Sequence, residues 1–472
     1  MAGLPPSDLQ LVDSTLDPTA GEFSAMDTSS FPELSTSSCS SYTLSPEGTY
    51  CYGNERKALA DQTRFFNSEI LSDVILKVGE QTFYAHKLIL IKTSDVFERM
   101  FSSGWSEANS KCVELVEEGP CIEYFARFLK FLYGCQIILS KDSCLPVLVL
   151  ADKYNVADLK NVCVSFACSS IIPKLQLKQV FHTWFQYATK CDHKQLVSAC
   201  ILALSEEMSE IMLSGEWQRE WEELDKNQLI EILKSSDLCV TDEYEVWQAV
   251  LAWVKSPQKL ERRENYLKEI LQYVRFPMMT PDQLYSIEKH VIAETYGELF
   301  QEKFIEAYRY HALSISKRAD IKLFTNSNYL LRNYTSLRWD KRLKLQNYGS
   351  CPKFSEHSLK FSTRSSSFPT QTWDWELRVY PKGFSQTSDD FRCLLYSNLL
   401  LDQPRPVEFM VSVVNNTQIL CTVTGKKNFS KNRYTVDTEI DKQISVFDLE
   451  SGNSPYLMDG SLVFQVTLQP VM

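Results

Sequence analysis

No Lys or Arg occurs before Arg56, whereas eight carboxylates do: Asp8, Asp13, Asp17, Glu22, Asp27, Glu33, Glu47 and Glu55. The 472-residue chain holds 49 basic and 60 acidic residues, a net charge of −11, so everything after residue 55 carries only about −3. A body so close to neutral lacks the clustered cations that phosphate backbones demand, and nucleic acid is not an expected partner. Glycine is scarce, at 15 residues, and 12% of the chain is aromatic, which excludes collagenous and wholly disordered classes. No apolar run approaches the roughly 20 residues that span a bilayer, so no membrane partner is expected. The best candidate, Cys144–Ala151, stops at eight. The opening residues MAGLPPSDLQ have neither the basic start nor the apolar stretch of a secretory signal. The expectation is a cytoplasmic or nuclear chain with reduced thiols. Its 14 cysteines show no C-x-x-C spacing, and the sequons at Asn333, Asn415 and Asn428 would then go unused.

Catalytic patterns are missing as well. The six histidines (86, 182, 193, 290, 311, 357) are dispersed, and Cys191-x-His193 offers two ligands where a zinc site needs more. There is no G-x-S-x-G, Walker loop or dinucleotide fingerprint, and Gly425-Lys426 lacks the glycine-rich run that would precede it. Carboxylate pairs such as Glu206-Glu207 and Glu222-Glu223 sit in amphipathic stretches, where a solvated helix face accounts for them. No enzymatic activity, cofactor or metal is expected.

What is present divides by periodicity. Residues 1–55 are rich in Ser, Thr, Pro and acids, with too little apolar surface to offset the entropy of ordering, and read as a disordered solubilising leader. Residues 56–165 alternate short strands and helices. DVILKV puts Val74, Leu76 and Val78 on one pleat face, and CIEYFARFLKFLYG carries the stripe of a buried helix. Residues 166–318 are helical, and Asp242 with Glu245 has the spacing of a capping box. From about 325 to 472 the period becomes two: WDWELRVY sets Trp373, Trp375, Leu377 and Val379 against Asp374, Glu376, Arg378 and Tyr380. VEFMVSVV and TQILCTVT flank Asn415-Asn416, a hairpin signal. The predicted fold class is multidomain: an α+β domain, an all-α domain and an antiparallel β-sandwich.

The motifs carry a resemblance. LSDVIL, AHKLIL, SDVFERMF and the Phe-x-x-Phe-Leu-Tyr ending at Tyr133 make the first domain similar to the BTB (POZ) family. LIEILKSSDLCVTDEYEVWQAVLAWV and YVRFPMMTPDQL resemble the BACK domain that commonly follows it. WELRVYPKG and SPYLMDGSLVFQVTL are similar to the TRAF-like (MATH) sandwich, although the opening RWDKRLKLQNYGSCPKF departs from that pattern.

The resemblance implies site residues. In BTB adaptors of ubiquitin ligases, an apolar residue, any residue and an acid in the loop after the second short helix dock on a cullin. Trp105-Ser106-Glu107 matches, with Phe97 and Met100 on the helix before it. An exposed Trp would fill a partner's apolar pocket, and Glu107 would pair with a cation at its rim. Phe65, Phe66, Leu71 and Asp73 map onto the family's dimer seam, with the two Phe residues read as exposed on one helix. Beside WDWELRVY, the outward candidates for holding an extended client peptide are Arg378, Tyr380 and, in the turn, Lys382. The function implied is a homodimeric adaptor of a cullin-RING ubiquitin ligase that captures a client protein. The alternatives are a BTB-dimer scaffold outside the ubiquitin pathway and a secreted scavenger-like glycoprotein.

Overall fold

The computed structural model describes residues 42–45, 48–51, 53–102, 104–365, 372–386, 390–398 and 404–471. Most of the predicted disordered leader lies outside these residues. The chain divides into two units, one ending at Arg64 and one spanning Phe65–Met472. In the first, strands β1 (Tyr42–Ser45) and β2 (Gly48–Cys51) pair antiparallel, in a stretch whose composition predicts no element. Helix α1 (Glu55–Thr63) follows, capped by the Asn54 side chain, which accepts from the Lys57 N–H at 3.0 Å.

The second unit opens on a three-stranded sheet in which β3 (Val74–Val78) lies between β4 (Gln81–Ala85) and the parallel β5 (Cys112–Leu115). Val74, Leu76 and Val78 are buried, as the alternation predicts. Between β4 and β5 run α2 (Lys87–Thr93) and α3 (Asp95–Phe101). Helices α4 (Gly119–Gly134), α5 (Lys141–Lys153) and α6 (Ala157–Phe166) complete the domain, with Phe125, Phe128, Leu129 and Leu132 of α4 at its centre. An array of helices occupies 167–320. In it Asp242 caps helix Glu243–Lys255, accepting from the Glu245 N–H at 3.0 Å. The predicted box is only half made. The buried Glu245 carboxylate instead accepts from the Ser209 hydroxyl and the Thr241 N–H.

The last part is a sandwich of two antiparallel sheets. One orders β9 (His357–Arg364), β10 (Thr372–Tyr380), β11 (Arg392–Ser397) and β14 (Thr435–Asp437) as β14-β11-β10-β9. The other holds β8 (Asp340–Leu345), β12 (Arg405–Val414), β13 (Ile419–Phe429), β15 (Leu457–Met458) and β16 (Ser461–Pro470). The predicted hairpin joins β12 to β13, and the Asn415 side chain closes its turn by accepting from the Thr417 and Gln418 N–H groups at 2.9 Å.

Period two changes at about residue 325, but the helical core does not end there. Phe324, Tyr329, Leu331 and Tyr334 belong to a core continuous with that of the first domain. The sandwich has its own, built on Trp375, Leu377, Val411, Phe464 and Val466. The cysteines from Cys112 to Cys421 are free thiols. Among the described residues no helix is long and apolar enough to cross a membrane.

Candidate functional site

Helix α3 is fixed from both ends. Its cap Ser94 accepts from the Phe97 N–H at 3.2 Å and donates to the Tyr154 carbonyl at 2.5 Å. Phe97 has no exposed surface and stacks on Tyr154 (ring centroids 4.7 Å, planes 16° apart). It is a core residue, which corrects the expectation that it docks a partner; Met100 is half-buried. The chain leaves the helix through Gly104, whose φ of +118° suits glycine alone. Trp105 then stands 62% exposed. Behind it a single 3-10 turn, Ser106–Asn109, is held by Lys87 Nζ, which donates to the Ala108 carbonyl at 2.7 Å. The Ser106 hydroxyl donates to the Glu107 carboxylate at 2.7 Å and keeps its pKa below the usual carboxylate range. The turn therefore presents an apolar ring and a carboxylate that stays ionised. Trp105 opens this turn and Glu107 lies within it.

The second predicted cluster is rearranged. Helix α1 ends at Thr63, before Phe65 and Phe66. Both rings are half-buried within their own domain, Phe65 edge-on to His86 at 5.9 Å and Phe66 edge-on to Tyr133 at 6.0 Å. Burial against neighbours accounts for both. Asp73 accepts from the Lys87 N–H at 2.8 Å and so serves the start of α2, which the side chain of its own cap residue His86 does not cap. What stays exposed is Ile70 (66%), Leu71 (83%) and Leu88 (79%). They share a corner, since His86 bonds the Ile70 carbonyl at 2.8 Å and Asp73 bonds the start of α2. Ile70 and Leu88 are additional to the predicted residues: Ile70 precedes the LSDVIL motif and Leu88 lies within AHKLIL.

In the sandwich, β10 is an internal strand with β9 and β11 on its two sides. No peptide can add alongside it, so a client would lie across the sheet or pair at an edge. Its outward face is also more covered than alternation predicts. Tyr380 is only 8% exposed, with its hydroxyl donating to Glu356 at 2.5 Å. Glu376 is buried too. Burial alone would raise its pKa, but hydrogen bonds from Ser358 (2.6 Å) and Arg378 (2.8 Å) hold it below the ordinary carboxylate value. Arg378, half-buried, lies over the Tyr396 ring at 4.1 Å. Lys382 donates to the Gly349 carbonyl at 2.9 Å and ties two turns together. Lys431 and Arg433 precede the edge strand β14, whereas Lys426 and Lys427 lie on β13 of the other sheet, Lys426 4.0 Å from Glu408. The exposed ring of Tyr434 sits 6.1 Å from Tyr396. The WDWELRVY motif lies on β10 and carries no trace of this basic, aromatic edge.

Comparison with known proteins agrees with this layout. Residues 63–171 match the BTB/POZ domain, 181–289 match the BACK domain (BTB And C-terminal Kelch), and 329–389 match the BTBD17 TRAF domain. This is a BTB–BACK–TRAF chain. It is 26% identical to BTB/POZ domain-containing protein 17 of Xenopus laevis over 418 residues, 82% of this chain and 83% of that protein. Kelch-like protein 3 of Danio rerio is 25% identical over 58% of this chain and 44% of its own length. Galectin-3-binding protein of Mus musculus is 23% identical, covering 82% of this chain and 71% of its own. BTB, BACK and TRAF domains are interaction modules, and among the described residues no cluster of three His, Cys, Asp or Glu side chains could hold a metal ion.

Proposed function

We propose that this chain recruits substrates to a cullin-RING ubiquitin ligase in the cytoplasm or nucleus. The BTB domain dimerises through the Ile70–Leu71–Leu88 corner and holds the cullin through Trp105 and Glu107. The client meets the outer sheet of the TRAF sandwich near Arg378, Tyr396 and the basic edge at β14, while Tyr380 and Lys382 shape that surface from within. Chemistry belongs to other subunits. The contribution of this chain is proximity, which raises the effective concentration of client at the ligase.

The observation that carries the reading is Trp105, a large apolar side chain left in solvent on a turn fixed by its neighbours. Truncating a central Trp anchor commonly costs about 2 kcal/mol or more, roughly thirtyfold in affinity. The double change Trp105→Ala, Glu107→Lys is expected to abolish cullin co-precipitation while leaving the melting temperature and dimer mass unchanged. Intact binding by a well-folded mutant would remove this turn from the interface. A second reading, a BTB-dimer scaffold outside the ubiquitin pathway, is favoured by the exposed Ile70–Leu71–Leu88 corner, which needs an apolar partner and no cullin. A wild-type chain that dimerises but never binds cullin would establish it.

A further inference from the structure

Residues 329–345 join the BACK helices to the sandwich, yet they have the environment of a core. Strand β7 (Asn333–Tyr334) pairs in parallel with β6 (Cys239–Val240), inside the helical domain. Arg332, with no exposed side-chain surface, bonds Glu243 through Nε at 2.9 Å, 89 positions away. It also donates to the carbonyls of Leu233 (2.9 Å), Ser235 and Tyr273 (3.0 Å). The Tyr334 hydroxyl donates to the same carboxylate at 2.6 Å. From the helical side Arg275 reaches back, its N–H to Glu243 (2.9 Å) and its guanidinium to the Leu330 carbonyl (2.9 Å).

The sandwich grips the same segment from its other face. The buried Gln465 side chain of β16 accepts from the Leu331 N–H and donates to the Tyr329 carbonyl at 3.2 Å. Leu330 packs with Val414, Met458 and Val463. Arg342 of β8 pairs with Asp237 at 2.8 Å, and Arg338 donates to the Met278 carbonyl at 2.8 Å. Opening either domain alone would strip partners from a buried charge or from buried backbone groups, and such groups are costly to leave unmade.

We propose that the BACK helices and the TRAF sandwich form one rigid, cooperatively unfolding body, with residues 329–345 as its shared element. The sandwich is then held at a fixed orientation on the BACK helices. This inference is independent of whether a cullin or a client binds.

Native-state hydrogen exchange of the full chain in rising denaturant tests it. Amides of helix Glu243–Lys255 and of β12 and β16 are expected to converge on one opening equilibrium. Arg332→Met should weaken protection in both regions by the same factor, roughly a hundredfold or more. Arg342→Ala, which breaks a pair whose Asp237 is partly exposed, should give a smaller fall that is again shared, and it serves if Arg332→Met does not fold. Separate opening of the sandwich in the wild-type chain overturns the proposal without any variant. So does an Arg342→Ala loss confined to one domain.

Discussion

The Arg332 side chain has no exposed surface, while Trp105 keeps 62% of its own. Burial normally sorts these residue types the other way. At Arg332 the cost of taking a cation from water is offset by a carboxylate and three carbonyls, all supplied by segments distant in sequence. At Trp105 the described residues leave most of the ring uncovered, and the turn beneath it is tied down by Lys87. The difference teaches how to sort the two exceptions. A buried charge with every partner in place marks a joint within the molecule, whereas the exposed ring on a fixed turn is where we propose that another molecule docks.

The largest expected effect separates two aromatics eight positions apart. Phe97→Ala removes a fully buried ring and should cost about 3–5 kcal/mol in urea denaturation. Trp105→Ala should change stability by no more than about 0.5 kcal/mol, as surface substitutions do. Equal losses at the two positions would mean that Trp105 is structural.

Next comes the acid side of the joint. Burial pushes the Glu243 carboxyl up, but Arg332 and Arg275 outweigh it and hold the folded-state pKa below the ordinary 4.5. A lowered folded-state pKa gives stability that is fully present above the unfolded value and lost as pH falls through the folded one. Wild-type stability should therefore drop steeply below about pH 4.5, where the unfolded carboxyl starts to bind protons. Glu243→Gln, weaker at neutral pH, should show a shallower acid slope in denaturation curves taken between about pH 3 and 6. Parallel slopes for the two proteins would show that Glu243 does not carry the acid response.

The smallest effect sharpens the rule about partners. Tyr329 is buried beside the joint, and its hydroxyl has no hydrogen-bond partner among the described residues. Tyr329→Phe should raise stability by about 1 kcal/mol or leave it unchanged, since it deletes an unsatisfied polar atom and keeps the ring. A clear loss in thermal unfolding would mean that the hydroxyl has a partner.

Local physics made much of this molecule legible. The alternation of Val74, Leu76 and Val78, the stripe of α4 and the Asn415 turn depend on neighbours a few residues away, and each forms as its spacing predicts. The Trp105-Ser106-Glu107 pattern entered through the family resemblance, which consecutive residues carry. The misreadings share one cause. Phe97 is buried by Tyr154, far along the chain, and Tyr380 alternates correctly yet is covered by Glu356.

By itself, then, the sequence determined the three kinds of domain and their order, because periods of two and about 3.6 are written in adjacent residues. Only the tertiary structure decided which polar residues go inside. Arg332, Glu243, Arg275 and Gln465 are buried because partners from distant segments satisfy them, and hydrogen-bond satisfaction across such separations leaves no periodic trace.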